Sequence, residues 1–97
     1  RFSIRFARHV TKRKYVLVFN WCYHGTVDET FATRIDGQVV ARRGNIGAPV
    51  PPSETTKVVE FNDLDLLEKA LASKDVACVL AEPAMTNVGI IHPQDGY

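Results

Sequence analysis

The spacing of hydrophobic positions predicts a helix at the start of the chain and a short buried strand after it. Phe2, Phe6 and Val10 recur at helical intervals, with basic residues between them. The polar stretch Lys12 to Lys14 interrupts this pattern, and the run YVLVF (15–19) that follows has no strongly polar position. A short run of this kind is typical of a strand that is buried on both faces.

Turn-forming residues then divide the middle of the chain. The segment FATRIDGQVVARR (31–43) has Asp36-Gly37 between two strand-like runs, which is typical of a small hairpin. The next segment, GNIGAPVPPSE (44–54), is rich in Gly and Pro and predicts a loop without helix or strand.

The last part of the chain predicts a strand, a helix and another strand. TTKVVEF (55–61) is the second strand candidate, and Asn62 is a candidate N-cap for the helix that follows. That helix has leucines at helical spacing and ends near Ser73-Lys74: Leu64, Leu67 and Leu71. VACVLA (76–81), apolar on both faces, is the third strand candidate and ends at Glu82-Pro83.

The order of these elements predicts an α/β fold with a partial, mainly parallel sheet and a small β-hairpin insertion. A parallel sheet needs helices on both faces, but the segment predicts about two helices for three buried strands. We therefore expect residues 1–97 to be a fragment of a larger domain. The alternative is that another chain covers the open surface.

Composition and charge restrict the class of protein. The chain is 45% hydrophobic and 24% charged, which is typical of a soluble globular protein. Its formal net charge of +1 gives no overall field that would favour nucleic acid or anionic membrane as a partner. No apolar run approaches the roughly 18 residues of a transmembrane helix. Two cysteines, Cys22 and Cys78, do not make a disulfide framework and favour free thiols in a cytoplasmic protein.

Polar residues follow two of the predicted strands directly. NWCYHG (20–25) follows the first strand, and EPAMTN (82–87) follows the third. Ligands of open parallel sheets bind beyond the carboxyl ends of the strands, so parallel strands would bring both clusters to one edge. This argument selects four candidate site residues: Tyr23, His24, Glu82 and Asn87.

Each candidate also has a structural interpretation. Tyr23 is more often a packed aromatic residue than a ligand platform, and a carboxylate such as Glu82 at a strand end is either a structural tie or a site residue. Cys22 beside His24 lacks the second pair that a zinc site needs, and a buried, inert thiol is the favoured interpretation. RRGNIG (42–47) contains the GxxG of nucleic-acid-clamping KH modules, but it follows a strand instead of joining two helices.

With CYHGTVDE (22–29) and ACVLAEPAMTNVGIIHPQDGY (77–97) both considered, the chain resembles a class III pyridoxal-phosphate-dependent aminotransferase. The YHG and EPxxxNxG motifs stand about sixty residues apart in this order, and the resemblance covers nearly the whole segment. Within that family, the chain is most similar to the glutamate-1-semialdehyde aminomutase-like branch. YHGTVDETFAT, ARRGNIG and AEPAMTN resemble the β-phenylalanine (β-amino-acid) aminotransferases of that branch.

The resemblance implies a role for each site residue and pyridoxal 5'-phosphate as the cofactor. Tyr23 would stack on the cofactor ring, with His24 and Gly25 completing the turn beneath it. Glu82 would hold the hydrogen-bond network near the cofactor. Asn87 stands where other branches have a glutamate, and with Met85 it would line the substrate site.

The resemblance also implies what lies elsewhere. The segment would be part of the large domain of a fold type I transferase, and the pyridinium-pairing aspartate and the catalytic lysine would lie beyond Tyr97. None of the lysines here matches the catalytic one, so no residue of the segment is expected to be catalytic: Lys12, Lys14, Lys57, Lys69 and Lys74. The implied partners are amino-acid and keto-acid substrates and a second subunit in a homodimer. Two alternatives stay open, a glutamate-1-semialdehyde 2,1-aminomutase and a non-catalytic α/β binding or scaffold module.

Overall fold

A computed structural model describes all 97 residues and contains two helices, five strands and two short 3-10 turns. The helices are α1 (Phe2–Thr11) and α2 (Leu64–Leu71). The strands are β1 (Tyr15–Phe19), β2 (Ala32–Ile35), β3 (Gln38–Ala41), β4 (Thr56–Val59) and β5 (Val76–Leu80). The 3-10 turns lie at Asp28–Thr30 and Pro52–Glu54. The α/β class predicted from the sequence is therefore confirmed.

Three strands form a parallel sheet in the order β4-β1-β5. The central strand, β1, has a partner on each side, and its residues 16–19 are at most 4% exposed. This burial explains why YVLVF contains no charged position, since a central strand covered on both faces leaves no solvated site. The hydrophobic core gathers around β1 and also includes Ile4 of α1 and Met85 beyond β5.

The strand β5 is less buried than its apolar sequence predicts. Only Val76 is buried in it, and Val79 is 44% exposed. The reason is its position, since β5 pairs with β1 on one side and has no strand on the other. An apolar sequence indicates that a strand is suited to burial. How far it is buried within these residues depends on how many other elements pack against it.

The hairpin of β2 and β3 is confirmed, with Ile35 paired to Gln38 across a two-residue turn. Asp36 and Gly37 have φ of 49° and 80°, which are the two left-handed conformations that a type I′ turn requires. Asn20, directly after β1, fixes this hairpin on the sheet. Its Oδ1 accepts hydrogen bonds from the Thr33 hydroxyl at 2.8 Å and from the Arg34 N–H at 3.2 Å.

Two local predictions were wrong, one at the start of α2 and one in the loop 44–54. The N-cap of α2 is Asp63 and not Asn62, because the Asp63 carboxylate accepts the Leu66 N–H at 2.8 Å. Asn62 instead has a left-handed φ of 67°, and its amide bonds the backbone of His92 and Gln94.

The loop 44–54, predicted to lack helix, ends in the 3-10 turn at Pro52–Glu54. Pro52 occupies the first position of this turn, where its missing N–H has no intrahelical partner to lose.

Part of the apolar surface stays exposed. Phe2, Phe6 and Val10 of α1 are 77%, 67% and 76% exposed, although Ile4 on the same helix is buried. This agrees with the shortage of covering elements that the sequence predicted. Neither helix has the length and apolar character needed to cross a membrane.

Candidate functional site

The loops that follow β1 and β5 meet at one edge of the sheet. Both strands run in the same direction, so both loops leave from their carboxyl ends. The Tyr23 N–H donates to Glu82 Oε2 at 3.2 Å, and Asn87 Nδ2 donates to the Trp21 carbonyl at 3.1 Å. The two polar clusters that the sequence placed after separate strands therefore form one continuous surface.

Tyr23 presents its ring to solvent at this edge. The side chain is 55% exposed, unlike the aromatic cluster of Phe19, Phe61 and Tyr97, whose ring centroids lie 5.2 to 5.8 Å apart. Gly25, two residues later, has a left-handed φ of 75°, a conformation that glycine adopts without steric cost. Within these residues Tyr23 is not packed as a core aromatic, and its ring is available to a flat ligand.

His24 has a buried polar atom without a partner. Its Nε2 is inaccessible to solvent and makes no hydrogen bond within the chain. Burial lowers the pKa of the imidazole, although the nearby charge of Glu82 acts in the opposite direction. A buried ring nitrogen without a hydrogen-bond partner is a candidate to bind a polar group from outside these residues.

The Glu82 side chain forms hydrogen bonds to both loops. Oε1 accepts the Thr86 hydroxyl at 2.6 Å, while Oε2 accepts the Tyr23 N–H. The hydrogen bond from Thr86 has the largest effect on the pKa of the Glu82 carboxyl and, with the bond from Tyr23, holds it below its usual value. Partial burial acts in the opposite direction. Glu82 therefore joins its own loop to the loop that carries Tyr23.

Met85 and Asn87 occupy different environments. Asn87 is exposed at the edge beside Trp21. Met85 is only 1% exposed, packs in the core, and exchanges backbone hydrogen bonds of 2.8 and 2.9 Å with Ile91. This placement does not support the prediction that Met85 lines a substrate site, because its side chain offers no free surface there.

Sequence reasoning missed one contributor to the site, Arg42. Its Nη1 donates to the Cys22 carbonyl at 2.7 Å, so the guanidinium points inward at the site loop. Its only signal in the sequence is the RRGNIG motif (42–47), whose GxxG pattern points to nucleic-acid binding instead. An arginine held by backbone carbonyls is not free to clamp a nucleic-acid backbone, and the GxxG segment leads from β3 into a 3-10 turn instead of joining helices.

The remaining reactive side chains are less suited to chemistry. Cys22 is completely buried, and burial raises the pKa of its thiol against the opposing effect of Arg42. This agrees with an inert structural thiol. Cys78 is also free, and burial raises the pKa of its thiol. No group of three or more His, Cys, Asp or Glu side chains is arranged to hold a metal ion.

Two of the curated relatives that match the chain, from Acidobacterium capsulatum and Methanocaldococcus jannaschii, have the same name. A glutamate-1-semialdehyde 2,1-aminomutase of Methanocaldococcus jannaschii is 41% identical over 100 residues, which cover 98% of this chain and 23% of that protein. The chain thus spans about a quarter of the length of the relatives it matches. No family model matches the chain.

Solved structures that match the chain include an enzyme of the same name. A glutamate-1-semialdehyde aminomutase of Pseudomonas aeruginosa superposes on the entire chain with a TM-score of 0.95 and 49% identity, over 22% of its own length. A variant of that protein has been solved in complex with PMP. An omega-transaminase of Sphaerobacter thermophilus superposes on 96% of the chain, and 23% of its own, with a TM-score of 0.79 and 28% identity. The chain is therefore related, over nearly its whole length, to the glutamate-1-semialdehyde aminomutase branch of the pyridoxal-phosphate-dependent aminotransferase family, as its two motifs predicted.

Proposed function

We propose that residues 1–97 form part of the cofactor-binding large domain of an enzyme that uses pyridoxal 5'-phosphate to move an amino group between an amino acid and a keto acid. The observation that carries this proposal is the meeting of the Tyr23 and Glu82 loops at the carboxyl edge of a parallel sheet. Ligands of such sheets bind at this edge.

The residues present fit the proposed cofactor. Tyr23 offers an exposed aromatic ring to a flat pyridine ring, and such pairs contribute about 0.5–1.5 kcal/mol beyond their buried area. His24 offers a buried nitrogen that lacks a hydrogen-bond partner in this chain. When bound, pyridoxal phosphate supplies the electron sink for reactions at an amino-acid carbon.

The residues of this chain would bind and orient the cofactor rather than transfer protons. Tyr23 would hold the plane of the ring, with His24 and Gly25 forming the turn beside it, and Glu82 would keep that turn in place. No lysine forms a hydrogen bond or ion pair with the Tyr23, His24 or Glu82 side chains, and Lys57 is paired with Asp75 at 2.6 Å. In the proposed enzyme, the catalytic lysine would be supplied by residues outside this segment.

Two reactions compete within this proposal. The motifs of the chain favour an aminotransferase of class III, with a β-amino acid such as β-phenylalanine among the donors. The second candidate is a glutamate-1-semialdehyde 2,1-aminomutase, which is favoured by the name of the relatives at 41% and 49% identity. Asn87, exposed beside the site, is the residue we assign to substrate contact. The proposal also includes a cytoplasmic location, which the free thiols of Cys22 and Cys78 favour, and a homodimer of the full-length enzyme.

The full-length protein that contains this chain provides the test. We expect the purified protein to carry pyridoxal phosphate and to show its visible absorbance. Tyr23→Phe keeps the ring and should bind the cofactor as the wild type does, whereas Tyr23→Ala should bind it about tenfold more weakly. Activity with β-phenylalanine and 2-oxoglutarate, compared with activity on glutamate-1-semialdehyde, separates the two reactions.

The rival from another class is a non-catalytic α/β binding or scaffold module. It predicts a folded full-length protein that neither retains pyridoxal phosphate nor takes it up when the cofactor is added. That result would end the enzyme proposal. Equal cofactor affinity of the Tyr23→Ala and Tyr23→Phe variants would remove only the stacking role of Tyr23.

A further inference from the structure

We infer that Arg42 is a positioning residue for Tyr23, which acts through the backbone of the site loop and not by touching a ligand. The inference rests on the proposed function, because the direction of the Tyr23 ring matters to a cofactor only if one binds there. It assigns the hairpin of β2 and β3 a role in the site.

One guanidinium joins the site loop to the hairpin. Arg42 Nη1 donates to the Cys22 carbonyl at 2.7 Å, and Nη2 donates to the Ala32 carbonyl at 3.3 Å. The planar guanidinium holds its donors in a fixed fork, so the two bonds together fix the position of the loop relative to β2. A lysine ammonium has no such fork.

The peptide group between Cys22 and Tyr23 is held at both ends. Its carbonyl accepts from Arg42, and its N–H donates to Glu82. A peptide unit is a rigid plane, so a charged donor on one edge and a charged acceptor on the other fix its rotation. The Tyr23 Cα lies in that plane, so the orientation of the plane fixes the N–Cα bond of Tyr23 and the point from which its side chain leaves the loop.

The loop needs such a restraint because its backbone is unusual. Trp21 has a φ of 65°, a left-handed conformation that is disfavoured for a residue with a Cβ. The Arg42 guanidinium lies 6.0 Å from the centre of the Trp21 ring, and Asn87 holds the Trp21 carbonyl. Arg42 thus contacts the side chain of the strained residue and the carbonyl of the next one.

Arg42 is itself anchored. Its backbone N–H donates to the Phe31 carbonyl at 2.9 Å, which extends the pairing of the hairpin. The hairpin is attached to the sheet through Asn20. The neighbouring Arg43 is exposed and makes no hydrogen bond or ion pair through its side chain, which makes it a matched control.

The test uses the full-length protein with three substitutions: Arg42→Met, Arg42→Lys and Arg43→Met. We expect Arg42→Met to bind pyridoxal phosphate about tenfold more weakly and to change the visible circular dichroism of the bound cofactor, since the loss of a charge-assisted hydrogen bond frees the peptide to rotate. Arg42→Lys should recover part of both signals, because it can reach one of the two carbonyls. Arg43→Met should match the wild type.

The melting temperature of the cofactor-free protein separates positioning from stability. A changed dichroism signal in Arg42→Met or Arg42→Lys, beyond any change in melting temperature, supports the inference. If Arg42→Met does not fold, Arg42→Lys decides by the same two signals. Variants that bind the cofactor with wild-type affinity and dichroism, or that only melt earlier, overturn it. A wild-type protein that binds no pyridoxal phosphate overturns the proposed function itself.

Discussion

Asn20→Asp tests how the hairpin is attached to the sheet. Asn20 is 5% exposed, and the two ends of its side-chain amide bond different neighbours. Oδ1 accepts from Thr33 and Arg34, while Nδ2 donates to Glu60 Oε1 at 2.9 Å. An aspartate keeps the acceptor for the hairpin but turns an oxygen towards the Glu60 carboxylate. The substitution therefore changes one contact and preserves the shape of the side chain.

The expected cost combines a lost bond with a new repulsion. Removing a hydrogen bond to a charged group costs about 1.5–3 kcal/mol. Two like charges at about 4 Å repel by about 4 kcal/mol at an effective dielectric constant of 20. Since Glu60 is partly exposed and free to move away, solvent screening removes much of the second contribution. We expect a local destabilisation of about 3 kcal/mol, or roughly 100-fold in the opening equilibrium of the hairpin.

Hydrogen exchange of the Arg34 N–H measures this opening directly. That N–H donates to Asn20 and lies opposite Val39, at a position where the ladder of the hairpin leaves it unpaired. Its exchange in the full-length protein should become about 100-fold faster in Asn20→Asp. The repulsion raises the pKa of the introduced carboxyl in the folded state. The destabilisation is therefore complete above that raised pKa and disappears as the pH falls below the pKa of the unfolded chain.

Glu60→Gln provides the control through a double-mutant cycle. The glutamine amide can donate to the introduced aspartate, so the double variant should regain most of the lost protection. Wild-type exchange at Arg34 in Asn20→Asp, or equal loss in the single and double variants, would refute the assignment of Glu60 as the partner of Asn20.

Two further predictions concern charged groups away from the site. Burial raises the pKa of Glu29, but the hydrogen bond and charge of Arg8, a backbone hydrogen bond and the charge of Arg1 together outweigh it and keep the pKa below its usual value. The resulting stabilisation is complete above the ordinary glutamate pKa of about 4.3 and is lost as the pH falls through the lower folded pKa. Melting curves from neutral to acidic pH should show a weaker acid dependence in Glu29→Gln than in the wild type, and identical curves would contradict this. Asp63→Ala removes the N-cap of α2 and should lower the free energy of unfolding in urea by about 1 kcal/mol. Asp65→Ala leaves the cap in place and should lower it by less. The reverse order would contradict the assignment of the cap.

The elements that the sequence predicted well are those whose signal is local. YVLVF became β1 with the predicted bounds, because a central strand requires apolar residues at every position. Asp36-Gly37 specified its turn, because few other residue pairs adopt two successive left-handed conformations. The cap of α2 was placed one residue early, since Asn62 and Asp63 are both good capping residues and the contact of Asn62 with residues 92–94 lies thirty positions away.

The sequence by itself determined the α/β order, the central strand and the two motifs that placed Tyr23 and Glu82 at strand ends. The tertiary structure alone decided that Arg42 supports the Tyr23 loop, that Met85 is buried and that His24 keeps a nitrogen without a partner. Hydrophobic periodicity reports whether a residue is buried within its own element. The contacts from Arg42 and Glu82 to the site loop span 20 and 59 residues, and only the path of the folded chain brings such groups together.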